Sequence, residues 1–131
     1  MKKLLLPLTA VLLFAQTPAD KPIVVNSHTA KFHHDSDDPP DGESLLLRMD
    51  RKTGAMEFFA RYPAGFKFKS HQHKANERFM VLEGKMSAEV DGKTTDLEPG
   101  GFLYVPAGTT HALSCVSTVK CMWYLAWDAK P

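Results

Sequence analysis

Short apolar or alternating runs recur along the chain from Leu45 onward, each closed by turn-forming residues. The runs are Leu45–Met49, Met56–Tyr62, Lys67–His73, Arg78–Leu82, Met86–Val90, Phe102–Val105, Ala112–Val116 and Met122–Trp127. Between them lie Asp50-Arg51-Lys52-Thr53-Gly54, Pro63-Ala64-Gly65, Glu83-Gly84, Asp91-Gly92, Pro99-Gly100-Gly101 and Pro106-Ala107-Gly108. Asp91-Gly92 between alternating segments predicts a two-residue hairpin, since both residue types tolerate the positive φ such a turn requires. No stretch of helical length keeps its apolar residues at a 3.6 period. Regularly spaced short strands without helices predict one all-β domain over 45–127, a sandwich or small barrel.

The first residues follow another pattern. Lys2 and Lys3 precede an almost unbroken apolar run, Leu4 to Ala15, of 12 residues. A spanning helix needs about 20, so a charged start with a short apolar core reads as a secretory signal rather than an anchor. Residues 1–19 are assigned to it, with cleavage after Ala15 or Ala19, and a periplasmic or secreted product is expected. An uncleaved anchor is the alternative.

Residues 20–44 form a loop-rich extension. Ile23-Val24-Val25 is long enough for a short edge strand, which could add to a neighbour's sheet and pair two chains as a homodimer. Pro39, Pro40 and Gly42 forbid a helix in the tract His33–Gly42, whose aspartates are expected in solvent. His28, His33 and His34 could join those aspartates in an accessory metal site, against the plainer reading of a solvated loop.

Charge excludes two partner classes. The chain carries 16 basic and 15 acidic side chains, and loses Lys2 and Lys3 with the leader. Without a basic excess, neither a nucleic acid nor a membrane surface is an expected partner. Cys115 and Cys121 flank a segment symmetric about Thr118, and a hairpin turning there would oppose the two sulfurs. Export would favour a disulfide; two unpaired cysteines acting as small hydrophobes are the other reading.

Candidate chemistry lies in two stretches. One is Gly65-x5-His71-x-His73-x3-Glu77-x6-Gly84, the other Gly100-x5-Pro106-x-Gly108-x2-His111. On a strand His71 and His73 share a face. Lys74-Ala75-Asn76 reads as a three-residue turn, and a hairpin closed by it would oppose His73 and Glu77 with Cβ atoms about 5 Å apart. His111 must come from elsewhere, at the end of a turn made rigid by Pro106 and permissive by Gly108. Three imidazoles and a carboxylate are a ligand set that borderline divalent metals favour.

Together the two stretches resemble both characteristic motifs of the cupin superfamily, without gap or insertion, and the resemblance covers about residues 45–127. It implies a double-stranded β-helix, or jelly-roll barrel, in which His71, His73, Glu77 and His111 hold one divalent metal ion: iron, manganese, nickel, copper or zinc. One departure is Cys115, where the family often carries asparagine. As a metal ligand, Glu77 is a poor candidate for a free general base, so no catalytic residue is assigned.

Phe79 and Val81 share Glu77's parity, and Leu113 and Cys115 share that of His111, so all four should face inward. Phe102, Tyr104, Trp123 and Tyr124 are candidate pocket walls, although both parities of their strands are apolar. An inward Arg61 would favour an anionic ligand; a solvated arginine is the other reading. The function expected first is an exported metal-dependent enzyme on a small organic molecule, with oxygen-dependent oxidation ahead of isomerase or lyase chemistry. The alternative class is a non-catalytic module that binds a metal or small ligand.

Overall fold

The computed structural model describes residues 21–131. The expected signal segment and its cleavage positions lie outside the described residues. Eight strands follow in order: β1 Glu43–Met49, β2 Met56–Tyr62, β3 Glu77–Glu83, β4 Met86–Val90, β5 Lys93–Leu97, β6 Phe102–Val105, β7 His111–Cys115 and β8 Cys121–Trp127. They form two sheets, one in the order β1-β2-β8-β3-β6 and one in the order β5-β4-β7, with every pair antiparallel. The result is an all-β jelly roll. No helix among the described residues is long and apolar enough to cross a membrane.

Alternation fixes which side chains fill the space between the sheets. On β3, Glu77, Phe79 and Val81 are buried while Arg78 and Met80 are exposed. On β7, His111, Leu113 and Cys115 are buried. Strand β8 lies in the middle of the larger sheet, so it is apolar on both faces. Its Trp123 stacks on Phe79 with ring centroids 5.6 Å apart and meets Tyr62 edge-on at 4.8 Å.

The Asp91-Gly92 hairpin forms with φ of 49° and 78°, the two positive values that a twist-matched two-residue turn needs. Its return strand, β5, is absent from the runs read by hydrophobicity. Lys93-Thr94-Thr95-Asp96 is exposed at a sheet edge, so pairing rather than burial holds it.

Three expectations are corrected. The run Lys67–His73 is not a regular strand; it lies along β7 through bridges at Lys67↔Ser114 and His71↔His111, whose registers differ by one residue. It therefore belongs with the smaller sheet, and no hairpin joins it to β3. Residues 74–76 instead carry the chain across to the larger sheet, where β3 pairs with β6 and β8. Ile23-Val24-Val25 forms no strand. Val24 is 95% exposed, leaving little burial to offset the cost of ordering a strand, and Ile23 and Val25 lie beside Leu47 and Phe59 instead.

The third concerns Cys115 and Cys121, which are joined by a disulfide. They are not cross-strand partners in a hairpin, because β7 and β8 belong to different sheets. The bond ties the two layers together below the site.

Candidate metal centre

His71 and His111 exchange backbone hydrogen bonds of 3.0 and 2.9 Å, which sets the irregular segment against the first residue of β7. The turn before β7 bends back over the same segment, and Gly108, at φ 78°, donates its N–H to the His73 carbonyl at 2.8 Å. A side chain at that positive φ would be strained, which accounts for glycine there. These contacts, rather than a hairpin, gather the imidazoles. Ring centroids are 4.4 Å apart for His71 and His111 and 4.9 Å for His73 and His111. One ligand atom from each ring lies within 4.8 Å of the other two, so His71, His73 and His111 could hold a metal ion.

Each ring is oriented by its own backbone. Nδ1 of His71 bonds the Lys69 carbonyl at 2.7 Å, that of His73 the Ala75 carbonyl at 3.0 Å, and that of His111 the Thr109 carbonyl at 2.9 Å. A carbonyl can only accept, so each Nδ1 carries a proton and each ring turns its Nε2 towards the cluster, free to serve as a ligand when unprotonated. This is how a protein presents imidazole to a metal.

Glu77 reaches the same place from the larger sheet. Its Oε2 accepts a 2.9 Å hydrogen bond from Trp127 Nε1 and lies 2.9 Å from His73 Nε2 and 3.9 Å from His111 Nε2. His73 Nε2 and the carboxylate oxygen make a favourable contact when either a proton on Nε2 or a metal cation lies between them. Glu77 Oε1 and His111 Nε2 are also buried without a hydrogen-bond partner. Buried polar atoms seldom go unsatisfied, and one cation would satisfy both. The donor set fits a borderline divalent metal.

A cavity of about 480 Å³ opens over the cluster, with His71 and Glu77 in its lining. Of the residues expected around the site, Leu113 and Trp123 line it. Phe79 and Val81 face inward but are packed fully into the core behind. Phe102 and Tyr104 are on the outside, 55% and 46% exposed. The register explains this: Tyr104 pairs with Arg78 and Phe102 with Met80, both outward on β3, leaving Leu103 and Val105 inward. Tyr124 is likewise outward, donating to Glu57 at 3.0 Å beside Phe59. Arg61 pairs with Glu43 at 2.7 Å and covers the Phe32 ring, so it contributes no charge to the cavity.

Several lining residues escaped the sequence reading. Tyr62 comes from β2, Phe68 from the irregular segment and Trp127 from β8. Trp127 was reachable, because it keeps the period of two from Trp123. Asp35, Asp37 and Asp38 also line the mouth, although the tract that carries them was read as plain loop. Tyr62 donates to Asp38 at 2.9 Å; burial first, and then this bond, raises its pKa far above the ordinary phenol value, so it stays neutral. His28 and His34 bond elsewhere, to Glu83 and to the Gly42 carbonyl. No accessory cluster built on them occurs among the described residues.

The loop between the candidate ligands is clamped from outside. Asp128 accepts from the Asn76 backbone at 3.0 Å and from its side-chain amide at 2.7 Å, while Asn76 Oδ1 accepts from Ala107 N at 3.0 Å. Asn76 thus joins the end of β8 to both ligand-bearing turns. The Asn76 amide, chiefly, holds the Asp128 carboxyl below its usual value. A depressed carboxyl stabilises the fold at pH above its unfolded pKa and loses that contribution as pH falls through the folded value. Asn76→Ala is therefore expected to shift the acid-unfolding midpoint upward. It should also weaken zinc binding by about 10-fold or more, as loss of groups that orient ligands does; acid titration by circular dichroism and competition with a chelator check the two effects.

The jelly roll and its histidine cluster define the class. The Cupin domain family matches residues 58–127, and the chain belongs to that family. Among curated proteins, it is 43% identical over 51 residues to a Quercetin 2,3-dioxygenase of Bacillus subtilis, covering 38% of this chain and 15% of that protein. It is 29% identical over 55 residues to an uncharacterised HTH-type transcriptional regulator of the same organism, covering 42% of this chain and 23% of the regulator. The matches therefore span only a small part of either relative. Similar solved structures include the Cnp3 cupin domain of Schizosaccharomyces pombe, with TM-score 0.69 and 14% identity over 82% of this chain and 74% of that one. KdgF from Halomonas sp. gives TM-score 0.66 and 17% identity over 82% and 93% of the two chains. At such identities the likeness is one of fold.

Proposed function

We propose that the protein is an exported, metal-dependent cupin enzyme that acts on a small organic molecule, with oxygen-dependent oxidation as its chemistry. The observation that carries the reading is the set of three imidazoles, each fixed with Nε2 inward by a backbone carbonyl, beside the buried Glu77 carboxylate at a cavity of about 480 Å³. A volume of this size suits a compact organic ligand. The local likeness to a Quercetin 2,3-dioxygenase favours oxidation over isomerase or lyase chemistry, and a disulfide between Cys115 and Cys121 suits an oxidising compartment.

His71, His73, His111 and Glu77 would hold iron, manganese, nickel, copper or zinc. A metal bound there would supply Lewis acidity and, for iron, manganese or copper, access to redox chemistry. Trp127 orients Glu77 through its indole N–H. Tyr62, Phe68, Trp123 and Leu125 form apolar walls that exclude water and position a ligand. The second reading is a module that binds a metal or small ligand without turnover. It is favoured by the commitment of Glu77 and the three histidines to one cluster, which leaves no carboxylate or imidazole of the floor free for proton transfer.

Oxygen consumption on iron-, manganese- and copper-loaded protein, across a panel of phenols and enols, separates the two. Substrate-dependent uptake that disappears in His71→Ala supports the oxidase reading. Ligand binding without uptake across the panel contradicts it.

A further inference from the structure

The cavity has a charge pattern that the metal reading does not use. Asp35, Asp37 and Asp38 line its mouth, His71 and Glu77 its inner end, and no lysine or arginine is among its lining residues. The acidic loop is tied down. His33 and Ser44 exchange backbone hydrogen bonds of 2.9 and 2.8 Å, and the Asp38 carboxylate accepts from Tyr62 at 2.9 Å, Ser44 Oγ at 3.1 Å and Asp35 N at 2.9 Å. Asp35 also accepts from Ser44 Oγ at 3.3 Å, so the Asp35 and Asp38 carboxylates are set in position before any ligand arrives. Behind them Phe58, Tyr62, Phe68, Trp123 and Trp127 supply aromatic walls. Aromatic faces attract cations, and the low polarity between them strengthens that attraction.

We infer that the cavity selects a compact aromatic cation, an amine or quaternary ammonium, whose charge sits at the Asp35–Asp37–Asp38 mouth and whose ring lies between the aromatic walls. An organic anion of the same shape is rejected. The inference rests on the cavity being the ligand site of the proposed function, but it does not require metal.

Three phenols that differ only in their tails test it: tyramine, 4-ethylphenol and 3-(4-hydroxyphenyl)propionate. Each is titrated into the full protein by calorimetry at pH 7 and low ionic strength, with zinc and without it. Tyramine should bind about tenfold tighter than 4-ethylphenol, and the propionate more weakly than either, the modest factor reflecting the partial exposure of the carboxylates. The double variant D35N/D37N should bring all three to within about twofold while leaving 4-ethylphenol unchanged, which also reports that the fold is intact. Equal or tighter binding of the propionate overturns the inference, as does a tyramine preference that survives D35N/D37N, or no binding of tyramine. The zinc content of wild-type and His73→Ala protein is measured in parallel. Equal zinc in the two sinks the metal reading, yet leaves the preference measured on zinc-free protein standing.

Discussion

Replacing His111 with alanine is expected to lower zinc affinity by on the order of a hundredfold or more, since loss of a group that merely orients a ligand already costs about 10–100-fold. His111 is the residue on which the cluster converges. Its backbone pairs with His71, its ring lies 4.4 Å from that of His71 and 4.9 Å from that of His73, and its Nε2 is buried without a partner. Removing it takes one imidazole from three and opens the remaining pair to water. Chelator competition followed by a metal-sensitive dye reads the affinity, and a cooperative melt of the metal-free variant shows that the fold survives. An affinity within twofold of wild type would mean that His111 is a buried structural histidine.

The largest loss of stability is expected from Phe79→Ala, about 3–5 kcal/mol by analogy with other buried aromatic truncations. Phe79 is fully buried and stacks on Trp123, which in turn meets Tyr62 and Phe68 edge-on, so its removal leaves a void at the centre of the packed rings. Domains have only about 5–15 kcal/mol in total, so the variant should be marginal at room temperature. Tyr104→Ala supplies the contrast. Tyr104 is 46% exposed on the outer face of β6, and the change should cost no more than about 0.5 kcal/mol. Urea unfolding of both variants tests the assignment of Phe79 to the core and Tyr104 to the surface.

That contrast also shows where sequence reading succeeds. Parity from Glu77 placed Phe79 and Val81 inward, because residues two apart on a strand share a face and Glu77 served as the anchor; Met80 and Leu82 on the other face leave hydrophobicity alone ambiguous. On β6 and β8 it was uninformative. Phe102-Leu103-Tyr104-Val105 is apolar at every position, and only the pairing of Tyr104 with Arg78 tells the faces apart. Strand β5 was missed for the opposite reason, having almost no apolar residues to mark it.

The four candidate ligands were legible as a pattern, yet the route by which they meet was not. A turn at 74–76 looks the same in sequence whether it closes a hairpin or carries the chain between sheets. The distinction depends on Gly108 reaching the His73 carbonyl and on His71 bridging His111, contacts between segments more than thirty residues apart in sequence. The aspartates at the mouth were hidden similarly. A Pro- and Asp-rich tract reads as solvent-exposed loop, and nothing local shows that Tyr62 will donate to Asp38.

Anomalous diffraction from crystals grown with zinc tests the central claim most directly. The structure predicts a single peak at about 2.0–2.2 Å from Nε2 of His71, His73 and His111 and from a Glu77 carboxylate oxygen. A zinc-containing crystal with no peak among those four side chains, and with Nε2 of His111 turned to another partner, would contradict it.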